Sequence, residues 1–135
     1  DVEIIYPVHL NPNVKIPVHN ILEDVDNIHL VDPLDYQQLI WLMKKTYFII
    51  TDSGGLQEEA PSLGKPLLVT REVTERTEGI DSGTAILVGT DKDKIVNNAK
   101  KLLSDTCEYE KMSNAVNPYG DGKSSEKIIK ILKEN

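Results

Sequence analysis

The chain has 135 residues and a mass of 15.1 kDa, with 39 % hydrophobic and 27 % charged residues, which is one domain's worth of core in a globular protein. A net charge of −7 argues against a nucleic-acid backbone as partner, and no apolar run reaches the ~18 residues of a membrane span. The single cysteine, Cys107, excludes an internal disulfide and fits a reducing compartment, so a cytoplasmic protein is expected.

The first residue is Asp1, which leads directly into the apolar run "VEIIYPV" (2–8), read as a buried strand. A chain that enters its fold this way is expected to be a segment of a longer protein. Asn11-Pro12-Asn13 opens a helix to about Leu22, with Pro17 assigned to its first turn. "NIHLVD" (27–32) is a second strand, and Asp35 caps a helix to about Lys45. On that helix Trp41 and Met43 read as core. "YFIITD" (47–52) is a third strand, followed by a short helix over 54–63 that stops at Gly64. "PLLVT" (66–70) is a fourth strand, 71–83 a polar loop, and "TAILVG" (84–89) a fifth strand. Helices are expected over 91–103, 107–115 and 125–134, with the turn formers of "NPYGDGKSS" before the last.

Five apolar strands alternating with helices predict an α/β fold with a doubly wound parallel sheet covered on both faces. Ligands in such folds sit beyond the carboxyl ends of the strands. The residues that matter are then those after each strand: 9–13, 32–36, 52–57 and 70–78.

"DSGG" (52–55) directly follows the third strand and opens a helix. Glycines there let backbone N–H groups approach an anion, the helix start adds positive potential, and Ser53 offers a hydroxyl. The plainer alternative is a glycine turn capped by Asp52 or Ser53. Glu58 reads as an acid favouring the helix dipole, and Glu59, about a turn on, as an acceptor for ribose hydroxyls. The chain has 13 lysines but only two arginines, Arg71 and Arg76, both in the loop after the fourth strand. Arginine is the better fork for phosphate, so this loop is a candidate clamp. His9 sits at the end of the first strand, whereas His19 and His29 read as structural. Three scattered histidines and one cysteine predict no metal site. The sequence has no G-x-x-x-x-G-K-[ST], no G-x-G-x-x-G and no G-x-S-x-G.

"YPVHLNPNV", "TDSGGLQEEAPSLGKP", "TERTEG", "GT" at 89–90 and "NPYGDG" occur in this order. The ordered set, over essentially the whole chain, resembles the carboxy-terminal domain of the non-hydrolysing UDP-N-acetylglucosamine 2-epimerases. The resemblance implies the Rossmann-like carboxy-terminal half of a glycosyltransferase-B type fold. It implies an isomerase interconverting UDP-N-acetylglucosamine and UDP-N-acetylmannosamine for cell-envelope polysaccharide, by elimination of UDP and re-addition, with no cofactor. Ser53, Gly54 and Gly55 match residues that hold the UDP phosphates, Glu59 the ribose acid, and Arg76 an arginine near the nucleotide. By the same resemblance Leu34 and Leu39 fall in the uracil pocket, and His9 near the sugar or the family's effector site in the interdomain cleft. Two departures stand out. Leu39 replaces a frequent aromatic residue, and Thr77 a usual proline, which would loosen its loop.

The family's catalytic carboxylates lie in an amino-terminal domain, and its "HRRE" motif precedes the stretch matched here. Residues 1–135 are therefore expected to be a single UDP-binding domain without its first strand and helix and without the partner domain. Such a chain would bind UDP or UDP-N-acetylglucosamine but be inactive alone. When full length it would be a homodimer. The competing readings are a nucleotide-sugar glycosyltransferase of the same bilobal fold, or a non-catalytic nucleotide-binding module.

Overall fold

A computed structural model describes residues 2–134. They fall into two compact units, one ending at Leu42 and the other beginning at Met43.

In the first unit, β1 (Ile4–Pro7) pairs in parallel with β2 (Ile28–Val31), Ile4 opposite Ile28 and Pro7 opposite Val31. The crossover is α1 (Pro12–Leu22). Asn11 caps α1 by accepting from the Asn13 N–H, and Pro12 occupies a first-turn position where a missing N–H costs nothing. Pro17 lies inside the helix, not in its first turn as the sequence suggested, because it stands five residues after Pro12, the first helical residue, and a turn takes only about 3.6. It deprives the Asn13 carbonyl of its intrahelical donor. The helix α2 (Tyr36–Lys45) opens on a reciprocal box. The Gln38 N–H donates to Asp35 Oδ1 at 2.8 Å, and the Asp35 N–H donates to Gln38 Oε1 at 3.1 Å. Met43 is 3 % exposed, as expected of core, but Trp41 is 63 % exposed. Trp41 stands off the stripe made by Leu39, Ile40, Leu42 and Met43, and its ring borders an apolar groove of about 500 Å³ with Ile5, Val31 and Leu34.

The second unit is built on three parallel strands in the order β3-β4-β5: Ile49–Thr51, Leu67–Val69 and Ala85–Leu87. Alternation along β4 sends Leu67 and Val69 to one face and Leu68 to the other. The first face is closed by Ala60 and Ile80, the second by Leu102, Met112, Ile95 and Ala99. Leu67, Leu68 and Val69 are fully buried, each worth about 1.5–3 kcal/mol of transfer free energy. Both faces of this sheet are thus covered, as a doubly wound layer requires.

The covering helices follow their caps. α3 (Gly54–Glu59) continues as a 3₁₀ turn over Ala60–Leu63 and ends at Gly64, which adopts φ +63°. α5 (Lys92–Ser104) starts at Asp91 and α6 (Thr106–Ser113) at Asp105, each carboxylate accepting first-turn N–H groups. Tyr109 stacks on Tyr47 at 4.0 Å between centroids and donates its hydroxyl to the Tyr47 carbonyl. α7 (Ser124–Glu134) closes the chain.

Two further expectations change. The five strands pair as two sheets among the described residues, not one, since periodicity reveals a strand but not its neighbour. The "polar loop" 71–83 contains a helix, α4 (Thr77–Asp81). Its short "TEGID" carries no apolar stripe that a sequence reading would catch.

Candidate functional site

The carboxyl ends of β3, β4 and β5 gather the polar groups of the second unit. After β3, the Ser53 N–H donates to Thr51 Oγ1 at 3.0 Å, which turns the chain into α3. Ser53, not Asp52, is the N-cap, but its hydroxyl lies a long 3.5 Å from the Leu56 N–H and is only loosely committed. The N–H groups of Gly54 and Gly55 follow, in the first turn where backbone donors lack intrahelical acceptors.

Gln57 is 2 % exposed and joins this turn to the loop after β4. Its Nε2 donates to the Ser53 carbonyl at 3.2 Å, and its Oε1 accepts from the Thr74 hydroxyl at 2.6 Å. Thr74 Oγ1 in turn accepts from the Arg76 N–H at 3.1 Å. A continuous buried hydrogen-bonded chain therefore fixes the backbone of Arg76 relative to that of Ser53.

The carbonyl end of Arg76 is held as well. The Gly79 N–H donates to the Tyr119 hydroxyl at 3.1 Å and to the Arg76 carbonyl at 3.3 Å. The Tyr119 hydroxyl lies 3.4 Å from that same carbonyl as its donor. Burial raises the Tyr119 phenol above its usual range, which keeps it protonated. A Cβ on Gly79 would sit 2.9 Å from the Tyr119 oxygen, so only glycine admits this contact.

The Arg76 side chain lies across Gly54, where an added Cβ would come within 3.2 Å of the guanidinium carbon. Its Nε donates to Glu58 Oε1 and its Nη1 to Glu75 Oε2, both at 2.9 Å. The hydrogen bond that Arg76 donates to Glu58, then the charges of Glu58 and Glu75, raise the guanidinium pKa further. Thr77 is the first residue of α4, a position that also suits proline. After β5, Glu72 Oε1 accepts from both the N–H and the hydroxyl of Thr90, at 3.1 and 3.2 Å.

The structure therefore brings together four of the expected site residues: Ser53, Gly54, Gly55 and Arg76. Glu59 is half-buried on the same helix, with no hydrogen bond or ion pair to its carboxylate among the described residues. His9, Leu34 and Leu39 belong to the first unit. His9 Nδ1 accepts from the Asn11 N–H at 3.1 Å, which puts the ring proton on Nε2. Leu34 borders the apolar groove and Leu39 is half-buried on α2. The ranges 52–57 and 70–78 contain Gln57, Glu72 and Thr74, but the sequence gives these residues no individual role, and Tyr119 lies outside every range. Of these, only Thr74 carried a local signal, a threonine two residues before Arg76.

These features define a doubly wound α/β protein whose polar groups converge where its parallel strands end. The family model for UDP-N-acetylglucosamine 2-epimerase matches residues 1–133, and the chain belongs to that family. It is 60 % identical to the UDP-N-acetylglucosamine 2-epimerase of Campylobacter jejuni, covering 98 % of this chain and 34 % of the relative. It is 56 % identical to that of Escherichia coli K12, covering 100 % and 36 %. Among solved structures it is similar to the Neisseria meningitidis UDP-GlcNAc 2-epimerase bound to UDP-GlcNAc, with TM-score 0.90 and 46 % identity over 98 % of this chain and 36 % of that one. The S. aureus MnaA–UDP co-structure gives TM-score 0.91 and 49 % identity, with the same two coverages. The chain thus spans about a third of the length of its curated relatives. Among the described residues no helix is long and apolar enough to cross a membrane.

Proposed function

We propose that these residues are the UDP-holding part of a UDP-N-acetylglucosamine 2-epimerase that interconverts its substrate with UDP-N-acetylmannosamine. The observation that carries this reading is the Arg76 guanidinium lying across Gly54, at the glycine turn that Ser53 opens. The first-turn N–H groups of Gly54 and Gly55, the loosely held Ser53 hydroxyl and the guanidinium across Gly54 supply the kinds of donor a diphosphate needs. Glu59, an unpartnered carboxylate one turn along, accepts from ribose hydroxyls. His9, Leu34 and Leu39 are proposed as contacts to the sugar and the uracil.

Elimination of UDP leaves negative charge on the diphosphate, and these donors stabilise that charge as it develops. The carboxylates that move protons at the sugar are proposed to lie in the part of the relatives' length that these 135 residues do not span. The complete protein is proposed to be a cytoplasmic homodimer.

The test is the longer protein, of the relatives' length, given UDP-N-acetylglucosamine and followed by proton NMR. Appearance of the carbon-2 epimer, with kcat/KM cut by at least about tenfold in Arg76→Ala, supports the reading. No turnover, or transfer of the sugar to an acceptor, contradicts it.

A further inference from the structure

Arg76 is the cation of the proposed diphosphate site, yet both of its bonded edges face carboxylates of this chain, Glu58 through Nε and Glu75 through Nη1. Glu58 stands on the same helix as the glycine turn, four positions after Gly54, and reaches the guanidinium that lies across that glycine. The backbone of Arg76 is fixed at its N–H by Thr74 and at its carbonyl by Gly79 and Tyr119. The side chain therefore changes partner by rotating about its own bonds, without moving the loop. A carboxylate and a phosphate present the same paired oxygens to a guanidinium.

We infer that Glu58 is a specificity-determining residue: it occupies Arg76 as a stand-in for the ligand's phosphate and sets the charge a ligand must bring to displace it. This rests on the reading of the glycine turn as a diphosphate site. A ligand lacking phosphate leaves the Arg76–Glu58 pair intact and gains nothing from the arginine. A diphosphate competes for the guanidinium with more charge and more oxygens than one carboxylate and takes it. The released Glu58 then faces solvent, where its side chain is already 47 % exposed, so letting go leaves no buried charge behind.

The pair is half-exposed, so its hold on Arg76 is modest and the effect of removing it is of matching size. Affinities of UDP, UMP and uridine are compared by calorimetry for the wild-type chain and for Glu58→Gln, with Glu110→Gln as a control that removes one exposed acid on α6. Glu58→Gln is expected to tighten UDP about three- to fivefold and to leave uridine unchanged, since exposed ion pairs are worth that much. The gain shrinks in high salt, and Glu110→Gln does not reproduce it. Unchanged or weakened UDP binding in Glu58→Gln overturns the inference, as does equal tightening of uridine. If the folded wild-type chain binds no UDP, the nucleotide reading fails by itself. The same comparison made with inorganic pyrophosphate then decides the role of Glu58: tighter binding to Glu58→Gln than to wild type supports it, and equal or absent binding to both overturns it.

Discussion

The Thr74 hydroxyl donates a 2.6 Å hydrogen bond to the Gln57 side-chain oxygen, tying the loop after β4 to the helix after β3. Both residues are buried, at 6 % and 2 % exposure. Replacing Gln57 by leucine leaves the Thr74 hydroxyl without its acceptor and the Ser53 carbonyl without its side-chain donor. The expected cost is about 1–3 kcal/mol of stability, the usual penalty for orphaning a buried polar group. The double variant Gln57→Leu/Thr74→Val should cost clearly less than the sum of the single changes, because the shared bond is lost only once. Urea denaturation of the four proteins measures this.

Tyr119 lies 40 residues from the Gly79 N–H it receives, and it reaches the same helix start that carries Arg76. Tyr119→Phe removes the hydroxyl and little else. It should destabilise the chain by about 1 kcal/mol and weaken UDP more than uridine, since the Arg76 carbonyl loses a donor. Equal weakening of both ligands would mean that Tyr119 supports the fold without positioning the arginine.

Gly89 adopts φ +64°, and an added Cβ would sit 2.7 Å from the Glu72 carboxylate. Gly89→Ala meets two penalties, a left-handed backbone at about 1–2 kcal/mol and the collision itself. Glu72→Ala removes the collision, and with it the two hydrogen bonds that Glu72 accepts from Thr90. Thermal denaturation should therefore show Gly89→Ala costing less in the Glu72→Ala background than in the wild type.

The Lys101–Glu108 ion pair, at 2.8 Å, joins α5 to α6. The hydrogen bond to Lys101, then the lysine's charge, lowers the Glu108 pKa, and the reciprocal bond raises that of Lys101. A depressed carboxylate stabilises the fold above its unfolded pKa and loses that contribution as pH falls through its lower folded value. A raised lysine contributes below its unfolded pKa and loses it as pH rises through its higher folded value. The pair thus acts between the carboxylate and lysine ranges. Glu108→Gln should lower the thermal midpoint slightly at neutral pH and flatten its fall on acidification through the carboxylate range.

All five strands are legible as short runs rich in apolar residues, and their ends differ from the expected ones by only one or two residues. Asn11 and Asp35 announce two helices at their starts, and the stripe of Ile95, Val96, Ala99, Leu102 and Leu103 announces a third. The strand order was not legible, since pairing is set by contacts between runs far apart in sequence. Trp41 was misread because a single large apolar residue beside a helical stripe looks like part of it. Glu58 was read as an acid serving the helix dipole, and its partner Arg76 lies 18 positions away, beyond any local pattern. The same distance hid Gln57, whose acceptor role depends on Thr74, 17 positions on.

We propose that the glycine turn and Arg76 hold the diphosphate of a uridine nucleotide. An amide-resolved NMR titration with UDP, run on the wild-type chain, Ser53→Ala and Arg76→Ala, tests it most directly. Saturable shifts are expected over residues 53–59 and 71–79, weakened in both variants while the remaining spectrum stays that of the folded wild type. A folded wild-type chain with no shifts in those segments, or with shifts untouched by either substitution, would contradict it.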